Sequence, residues 1–207
     1  MNETQTLNYK RTFFIGCAFF TIMLLWQVYN YMCPLFLEQI GIKDTYKGLI
    51  MAGDNIFALI MLPIFGNLSD KTKTKLGKRM PYIIVGTLLA AVTFPFVAAL
   101  GIKGNLVGLL IVMALILFFM NIYRAPSVAL MPDLTPKKYH SKANGIINLM
   151  GGIGSIFAYG TALLFGSKYP MIPFIVTSIL MILALIILLL TINEAKMHTE
   201  VKEENNS

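Results

Sequence analysis

Six long stretches of this 207-residue sequence are almost free of charge, and their length limits what the chain can fold into. Asp54 is the only Asp, Glu, Lys or Arg within them; they cover residues 12–37, 48–69, 80–102, 104–123, 143–167 and 169–193. About twenty apolar residues in a helix cross the roughly 30 Å of bilayer hydrocarbon. The sequence therefore predicts an all-α integral membrane protein whose six transmembrane helices occupy residues 13–192.

The composition supports this class. Charged residues make up 13% of the chain and hydrophobic residues 57%, whereas a soluble domain is about a quarter charged. The first stretch lacks the small-residue cleavage site of a secretory signal, so we expect a retained helix after a short tail at 1–12. Residues 193–207 are polar and alternate Lys with Glu, which predicts a disordered tail.

The positive charges fall mainly on one side of the predicted membrane. If the loops alternate sides, one side holds most of the 17 Lys and Arg residues and the other side holds only four, namely Lys43, Lys47, Lys103 and Lys168. The positive-inside rule then predicts a multi-pass protein of the cell membrane with both termini in the cytoplasm. The net charge of +7 is explained by this topology, so we expect a lipid bilayer and no nucleic acid as partner.

Asp54 lies one to two turns inside the second predicted helix. A carboxylate at membrane depth costs about 2.5–3.5 kcal/mol on insertion scales, so such residues usually face a cavity and serve a function. A carboxyl group that leaves water takes up a proton more readily, which makes Asp54 a candidate for proton coupling. Binding of sodium and a structural hydrogen bond, for example to Asn55, are the alternatives.

Polar residues on helices one, four and five are candidates for a substrate pathway. Amides exposed to hydrocarbon are costly, so we expect these residues to line a route for a polar solute, with the aromatic rings and amides of helix one suited to a sugar. The candidates are Trp26, Gln27, Asn30, Tyr31, Asn121, Asn144 and Asn148.

Each of these helices also has a simpler explanation. Aromatic residues near the end of helix one are typical of a membrane-interface belt. On helix five, the spacings Gly151-xxx-Ser155 and Gly154-xxx-Ala158 are typical of close helix packing.

Four charged residues near the predicted cytoplasmic side are candidates for a gate. Arg124 is positioned either to reach lipid phosphate or to pair with Asp70 or Asp133, and a pair that breaks and forms is what a gate between two conformations needs. The gate candidates are Asp70, Arg79, Arg124 and Asp133.

The sequence shows no catalytic pattern. His140 and His198 lack a triad or a metal-ligand spacing, and no Walker loop is present. Cys17 and Cys33 lie too far apart along one helix for a disulfide. We therefore expect no enzyme activity, no cofactor and no metal.

Two regions, 66–79 and 123–145, resemble a known family. Residues 66–79, GNLSDKTKTKLGKR, resemble the major facilitator signature between helices two and three. Together with YRAP at 123–126, LMPDLTP at 130–136 and SKANG at 141–145, they resemble the sucrose-type and glycoside–pentoside–hexuronide cation symporters. The resemblance covers nearly the whole chain but only the amino-terminal, six-helix half of that fold, a 3+3 inverted repeat.

The resemblance implies alternating-access symport of a sugar or glycoside with a cation. Asp70 takes the role of the family's loop acid, which faces a second six-helix half. Melibiose-type members carry two acids near the positions of Ala58 and Leu62; their absence here favours a proton over sodium and leaves Asp54 as the coupling residue.

Two functions stay open. One is half of a secondary transporter, completed by a second six-helix half or by self-association. The other is a truncated or regulatory membrane protein with the fold but without independent transport activity.

Overall fold

The computed structural model describes residues 7–206. Seven α-helices and one short 3-10 turn, Lys137–Tyr139, make up this part of the chain. The helices are α1 Tyr9–Gln39, α2 Asp44–Lys71, α3 Met80–Ile102, α4 Leu106–Asp133, α5 His140–Phe165, α6 Met171–Thr191 and α7 Glu194–Asn206. Helices α1 to α6 are each long and apolar enough to span a membrane, and no strand occurs within 7–206. The predicted all-α membrane fold with six spanning helices is confirmed.

Short loops join the spanning helices, so successive helices run in opposite directions. The loops 72–79 and 134–139 lie at one end of the bundle, together with the start of α1 and the end of α6. We call this end the basic end, because most Lys and Arg residues belong to it. The loops 40–43, 103–105 and 166–170 lie at the opposite end.

The helix contacts follow a twofold pattern. Helix α1 packs on α5 and α6, helix α4 packs on α2 and α3, and α3 packs on α6. Exchanging the first three helices with the last three reproduces this set of contacts. The pairing is the one that a 3+3 inverted repeat predicts.

Helix α1 forms the centre of the bundle and contributes much of its core. Phe36 stacks on Phe174 at 5.8 Å between ring centroids, and Phe94 lies 4.7 Å from Phe174. These three fully buried rings join α1, α3 and α6. The thiols of Cys17 and Cys33 are also buried in α1 and are free.

Glycines allow two helix pairs to approach closely. A Cβ at Gly154 would lie 2.8 Å from the carbonyl oxygen of Phe20, and a Cβ at Gly86 would lie 2.8 Å from the backbone nitrogen of Tyr123. Helices α5 and α1, and helices α3 and α4, therefore approach each other too closely for a side chain at these positions. The close packing expected for the small residues of helix five is confirmed at Gly154.

Two helices extend beyond the predicted spans. Helix α4 continues past residue 123, where the predicted apolar stretch ends, to Asp133 and includes Pro126 and Pro132. Helix α1 begins at Tyr9, inside the tail predicted for 1–12, whose residues 1–6 lie outside the described residues. Membrane helices tolerate proline because neighbouring helices help to satisfy the freed backbone groups.

The carboxyl-terminal segment differs from its predicted disorder. Residues Glu194–Asn206 form helix α7, whereas Ser207 lies outside the described part. Glu194 is 1% exposed and Val201 is 5% exposed, and the side chain of Asn193 accepts a hydrogen bond from the backbone of Lys196 at 3.2 Å. The sequence prediction of disorder used only the polar composition of this segment, which does not reveal these contacts with the rest of the protein.

The close approach of α5 to α1 predicts that Gly154→Ala destabilises the protein. Overpacking costs about 1–3 kcal/mol of unfolding free energy, because the new methyl group meets a backbone carbonyl. Gly160→Ala in the same helix is the matched control, since no atom lies within 4 Å of a Cβ at that position. Thermal unfolding of the purified protein in detergent should show a lower melting temperature for Gly154→Ala only; equal melting temperatures would contradict the packing.

Candidate functional site

Two charged side chains lie at membrane depth on neighbouring helices. Asp54 of α2 is 8% exposed, and the guanidinium of Arg124 of α4 lies 3.8 Å above the ring centroid of Trp26 of α1. Counted at about 1.5 Å per residue, Asp54, Arg124 and Trp26 lie about 15, 27 and 20 Å from the opposite end of their helices. All three residues therefore lie within the helices that are long and apolar enough to span a membrane, with Arg124 the nearest of them to the basic end.

Asp54 and Arg124 attract each other without touching. Their charges interact electrostatically, but their Cα atoms differ by about 12 Å in depth along the membrane normal. No direct ion pair between them occurs within residues 7–206. The hydroxyl of Tyr29 is buried and has no hydrogen-bond partner among the described residues. Trp26 contacts Arg124, and its depth counted along the helices falls between those of Arg124 and Asp54.

A second polar group joins α1 to α5. The Tyr159 hydroxyl donates to Gln27 Oε1 at 2.9 Å, and Gln27 Nε2 donates to Ser155 Oγ at 3.4 Å. The rings of Tyr31 and Tyr159 meet edge to face at 6.1 Å. Tyr159 is absent from the sequence-based candidates, although it follows Ser155 by one helical turn and so shares its helix face.

The remaining pathway candidates separate into two groups. Asn30 is half-buried on α1, and Asn144 and Asn148 are exposed on α5. Asn121, by contrast, is 2% exposed and donates to the carbonyl of Leu117 in its own helix at 2.8 Å. The structure therefore buries Asn121 inside the bundle, whereas the other pathway candidates are half-buried or exposed.

The basic end contains a buried arginine with several partners. Arg79 is 5% exposed; its Nε donates to Asp133 Oδ2 at 2.8 Å, and its Nη2 pairs with Asp70 Oδ1. Its Nη1 donates to the carbonyl of Gly66 at 3.2 Å and to Ser69 Oγ. The Lys78 ammonium adds a contact to Asp133 at 3.0 Å. This Arg79 network ties α2, the 72–79 hairpin and the end of α4 together.

The structure brings together three of the four predicted gate residues. Asp70, Arg79 and Asp133 form the network, but Arg124 does not pair with either acid as the sequence suggested. Asp133 is the last residue of α4, at the basic end. Counted along the helix, Arg124 lies about 14 Å further from the basic end than Asp133 does. Arg79 and Lys78 form the ion pairs with the carboxylates of Asp70 and Asp133 instead.

Glu194 caps the start of α3, which the sequence did not predict. Its Oε1 accepts from the backbone nitrogens of Lys78 and Arg79 at 3.0 and 2.9 Å, and its Oε2 accepts from those of Arg79 and Met80 at 3.0 and 2.8 Å. A carboxylate is stabilised at a helix N-terminus by the unpaired amides and the helix dipole. Gly77, at φ +113°, leaves room for this carboxylate, since any Cβ there would overlap it. The feature of the sequence that could have pointed to this role of Glu194 is its position directly after the last apolar stretch.

Within residues 7–206, no cluster of three or more His, Cys, Asp or Glu could hold a metal ion.

Comparisons with known proteins assign a family. The sequence model described as Major Facilitator Superfamily matches residues 15–206. Similar proteins include "Sucrose transport protein SUC4" of Arabidopsis thaliana, 22% identical over 66% of this chain and 30% of the relative. "Sucrose transport protein SUT2" of Oryza sativa subsp. japonica is 28% identical over 73% of this chain and 34% of the relative. "Proton-associated sugar transporter A" of Homo sapiens is 26% identical over 73% of this chain and 22% of the relative.

The chain spans about a third or less of the length of these relatives. No solved structure matches it significantly. The names of the relatives agree with the prediction of a transport protein rather than an enzyme.

The cap formed by Glu194 predicts that Glu194→Ala opens the hairpin. Three backbone N–H groups lose their acceptor, and leaving buried donors unpaired costs about 1–3 kcal/mol each. Hydrogen–deuterium exchange should therefore become faster at the amides of residues 78–80. Glu38→Ala is the control, because Glu38 forms an exposed pair with Lys47 that contributes about 1 kcal/mol or less. Unchanged exchange at 78–80 would mean that the cap is not needed.

Proposed function

The chain belongs to the Major Facilitator Superfamily, and from this premise we propose that it is a six-helix unit of a secondary transporter for a sugar or glycoside, driven by a cation gradient. The observation that carries this proposal is the group formed by Trp26, Arg124 and Asp54 at membrane depth. Ionisable residues inside a membrane protein usually mark a substrate or ion pathway. The relatives named as sucrose and sugar transporters support the same substrate class.

The chemistry of this group suits a sugar. A sugar has apolar C–H faces and many hydroxyl groups, and Trp26 offers an aromatic surface for the former. The guanidinium of Arg124 donates hydrogen bonds only, whereas the amides of Gln27 and Asn30 both donate and accept. The carboxylate of Asp54 accepts. Together they match the mixed donor and acceptor character of hydroxyl groups.

Asp54 is the proposed coupling residue, with a proton as the ion. Asp54 is nearly buried and has no direct ion pair within the described residues, so protonation removes its attraction to Arg124 without breaking a salt bridge. Sodium would require several oxygen ligands, and α2 carries Ala58 and Leu62 where further acids would be needed. Proton binding and release by Asp54 would then change how Arg124 meets the substrate.

The Arg79 network is the proposed gate, at the cytoplasmic side. Its contacts span α2, the hairpin and α4, so an opening of this end has to break them, as alternating access requires. The excess of Lys and Arg at the basic end supports a cytoplasmic location for this end and for both termini, in the cell membrane. The open pathway face of the bundle requires a partner, which is a second six-helix half or another copy of the chain.

Uptake into proteoliposomes tests the proposal. Vesicles that contain the purified chain, given an inward proton gradient, should accumulate labelled sucrose or an α-glucoside above the outside concentration. Collapse of the gradient with a protonophore should abolish accumulation. Absence of both sugar uptake and sugar binding, with the chain alone and with a second six-helix half added, would favour the alternative, a membrane protein with the fold but no transport activity.

Asp54→Asn separates coupling from transport. An amide of the same size cannot carry the proton, so we expect gradient-driven accumulation to be lost while sugar exchange across the membrane stays measurable. Asp44→Asn is the matched control, because Asp44 lies at the exposed end of the same helix, in a surface pair with Lys47 at 2.7 Å. Accumulation by Asp54→Asn equal to that of the unmodified chain would exclude Asp54 as the proton carrier.

A further inference from the structure

A cavity of about 480 Å³ lies at the basic end, where the 72–79 hairpin meets the end of α6 and the start of α7. Its volume is within the range of about 300–1,000 Å³ that small-molecule sites occupy. It is separate from the Arg79 network, none of whose residues lines it. The residues that give the cavity its character are Lys75 and Leu76 of the hairpin, Leu189 and Leu190 of α6, and Lys196 and Met197 of α7.

One part of the cavity is apolar and lies at the edge of the membrane. Leu189 and Leu190 belong to the last turn of α6, which ends at Thr191, and Leu190 is 81% exposed. Because α6 is long and apolar enough to span a membrane, these side chains lie where the hydrocarbon region ends. An apolar surface at this depth suits the upper part of a lipid acyl chain.

Leu76 extends this apolar part into the hairpin. The backbone nitrogen of Gly77 donates to the carbonyl of Thr74 at 3.1 Å, and the Thr74 hydroxyl donates to the carbonyl of Gly77 at 2.6 Å. Lys75 and Leu76 therefore occupy the centre of a turn. Turn centres usually carry Gly, Pro, Asn, Asp or Ser, yet Leu76 is 54% exposed here. An exposed leucine beside a spanning helix indicates an apolar contact that the described chain does not provide.

The other part of the cavity is cationic. Lys75 and Lys196 are exposed beyond the ends of the spanning helices, and neither forms an ion pair with a residue that the structure describes. Asn193, which also lines the cavity, uses its Oδ1 to accept from the backbone of Lys196, so its Nδ2 is left as a donor. No Asp or Glu among the described side chains lines this cavity. Two cations and an amide donor without a carboxylate favour an anion.

A second cavity at the same end, of about 410 Å³, provides the contrast. Lys73 and Lys78 line it together with the acids Asp70 and Glu194. The Lys78 ammonium lies 3.0 Å from the carboxylate of Asp133 and 3.7 Å from that of Asp70. The charges of this second cavity are therefore balanced within the protein, whereas those of the first are not.

We propose that the first cavity binds an anionic phospholipid of the cytoplasmic leaflet. The phosphate accepts hydrogen bonds from Lys75 and Lys196, and an acyl chain lies on Leu76 and Leu190. A phospholipid joins an anion to an apolar chain at the depth where the cavity has both kinds of surface. Anionic lipids also give the cytoplasmic leaflet its negative surface potential, and the basic end is the proposed cytoplasmic side.

A bound lipid has a consequence for the hairpin. It links the 72–79 hairpin to α7, which the Glu194 cap already joins. The lipid therefore stabilises the closed arrangement of the Arg79 network, the proposed gate. This consequence rests on the proposed function, whereas lipid binding itself does not.

Lipid binding to the purified full chain tests the site. The chain in detergent is titrated with phosphatidylglycerol, which is anionic, or with phosphatidylcholine, which is zwitterionic, and bound lipid is counted by native mass spectrometry. We expect a phosphatidylglycerol adduct that phosphatidylcholine does not replace. Lys75→Ala combined with Lys196→Ala should weaken it about tenfold or more, because each lysine near a membrane surface strengthens the binding of anionic lipid about fivefold.

The matched control removes two lysines elsewhere at the basic end, as Lys73→Ala combined with Lys142→Ala. Lys73 belongs to the same hairpin but lines the second cavity, and Lys142 is exposed at the start of α5. The two double variants have the same net charge, so a diffuse attraction to anionic lipid predicts equal losses. Equal affinities of the two double variants for phosphatidylglycerol would overturn the proposal.

The apolar contact distinguishes a lipid from a soluble anion. Leu76→Ser should weaken phosphatidylglycerol binding about threefold or more, because it removes apolar surface without changing the charge. Leu68→Ser should not, although Leu68 is 48% exposed near the same end of α2. Glycerol phosphate, which has the phosphate without acyl chains, should not displace the lipid at equal concentration. Displacement by glycerol phosphate, or equal effects of the two serine variants, would overturn the proposal.

Hydrogen–deuterium exchange in vesicles tests the effect on the hairpin. Addition of phosphatidylglycerol to phosphatidylcholine vesicles should slow exchange at the amides of residues 72–79 in the unmodified chain and in the Lys73→Ala, Lys142→Ala control. It should not do so in the Lys75→Ala, Lys196→Ala variant. Exchange that is independent of phosphatidylglycerol in all three would contradict the stabilisation of the gate.

Sugar assays on the same vesicles keep the lipid site and the transport function apart. A chain that binds phosphatidylglycerol at this cavity but neither binds nor transports sugar would refute the proposed function and leave the lipid site standing. Sugar uptake by a chain that binds no phosphatidylglycerol would refute the lipid site and leave the function standing.

Discussion

Bilayer hydrocarbon offers no partner to a polar group, and the rest of this structure depends on that constraint. It forces the six apolar stretches into helices, whose backbone groups satisfy each other. It also makes every exception informative, because an ionisable or amide side chain at membrane depth needs water, protein or a ligand beside it. The exceptions here include Asp54, Arg124 and the amides of α1, α2, α4 and α5.

The proposed transporter has two groups of polar residues, and each group has a different proposed role. Trp26 and Arg124, with Asp54, form the group at membrane depth, where a substrate and a proton would meet. The Arg79 network and the Glu194 cap hold the basic end, where α2, α3, α4 and α7 converge. Helix α4 joins the two groups, since it carries both Arg124 and Asp133. A shift of this helix on substrate or proton binding would therefore reach the Arg79 network, the proposed gate, directly.

The sequence predicted the features that depend on local composition. The spans followed from the length of apolar runs, and the choice of Asp70, Arg79 and Asp133 as gate candidates followed from their position near the predicted cytoplasmic side, although the sequence favoured Arg124 over Arg79 as the partner of the two acids. Other features depend on contacts between distant segments. Helix α7 is anchored because Glu194 meets the start of α3, a contact between segments far apart in the sequence. Likewise, the position of Asn121 inside the bundle depends on the rotation of α4 about its axis, which a largely apolar helix does not reveal.

The central claim is that one face of this bundle borders a water-filled sugar pathway, and thiol accessibility tests it most directly. Asn30→Cys on α1 and Val92→Cys on α3, each with Cys17 and Cys33 changed to Ala, lie at similar depth, about 13–15 Å from the opposite end. A charged, water-soluble thiol reagent should modify Asn30→Cys much faster than Val92→Cys, and sucrose or an α-glucoside should slow only the former reaction. Equal, sugar-independent rates at the two positions would contradict the account.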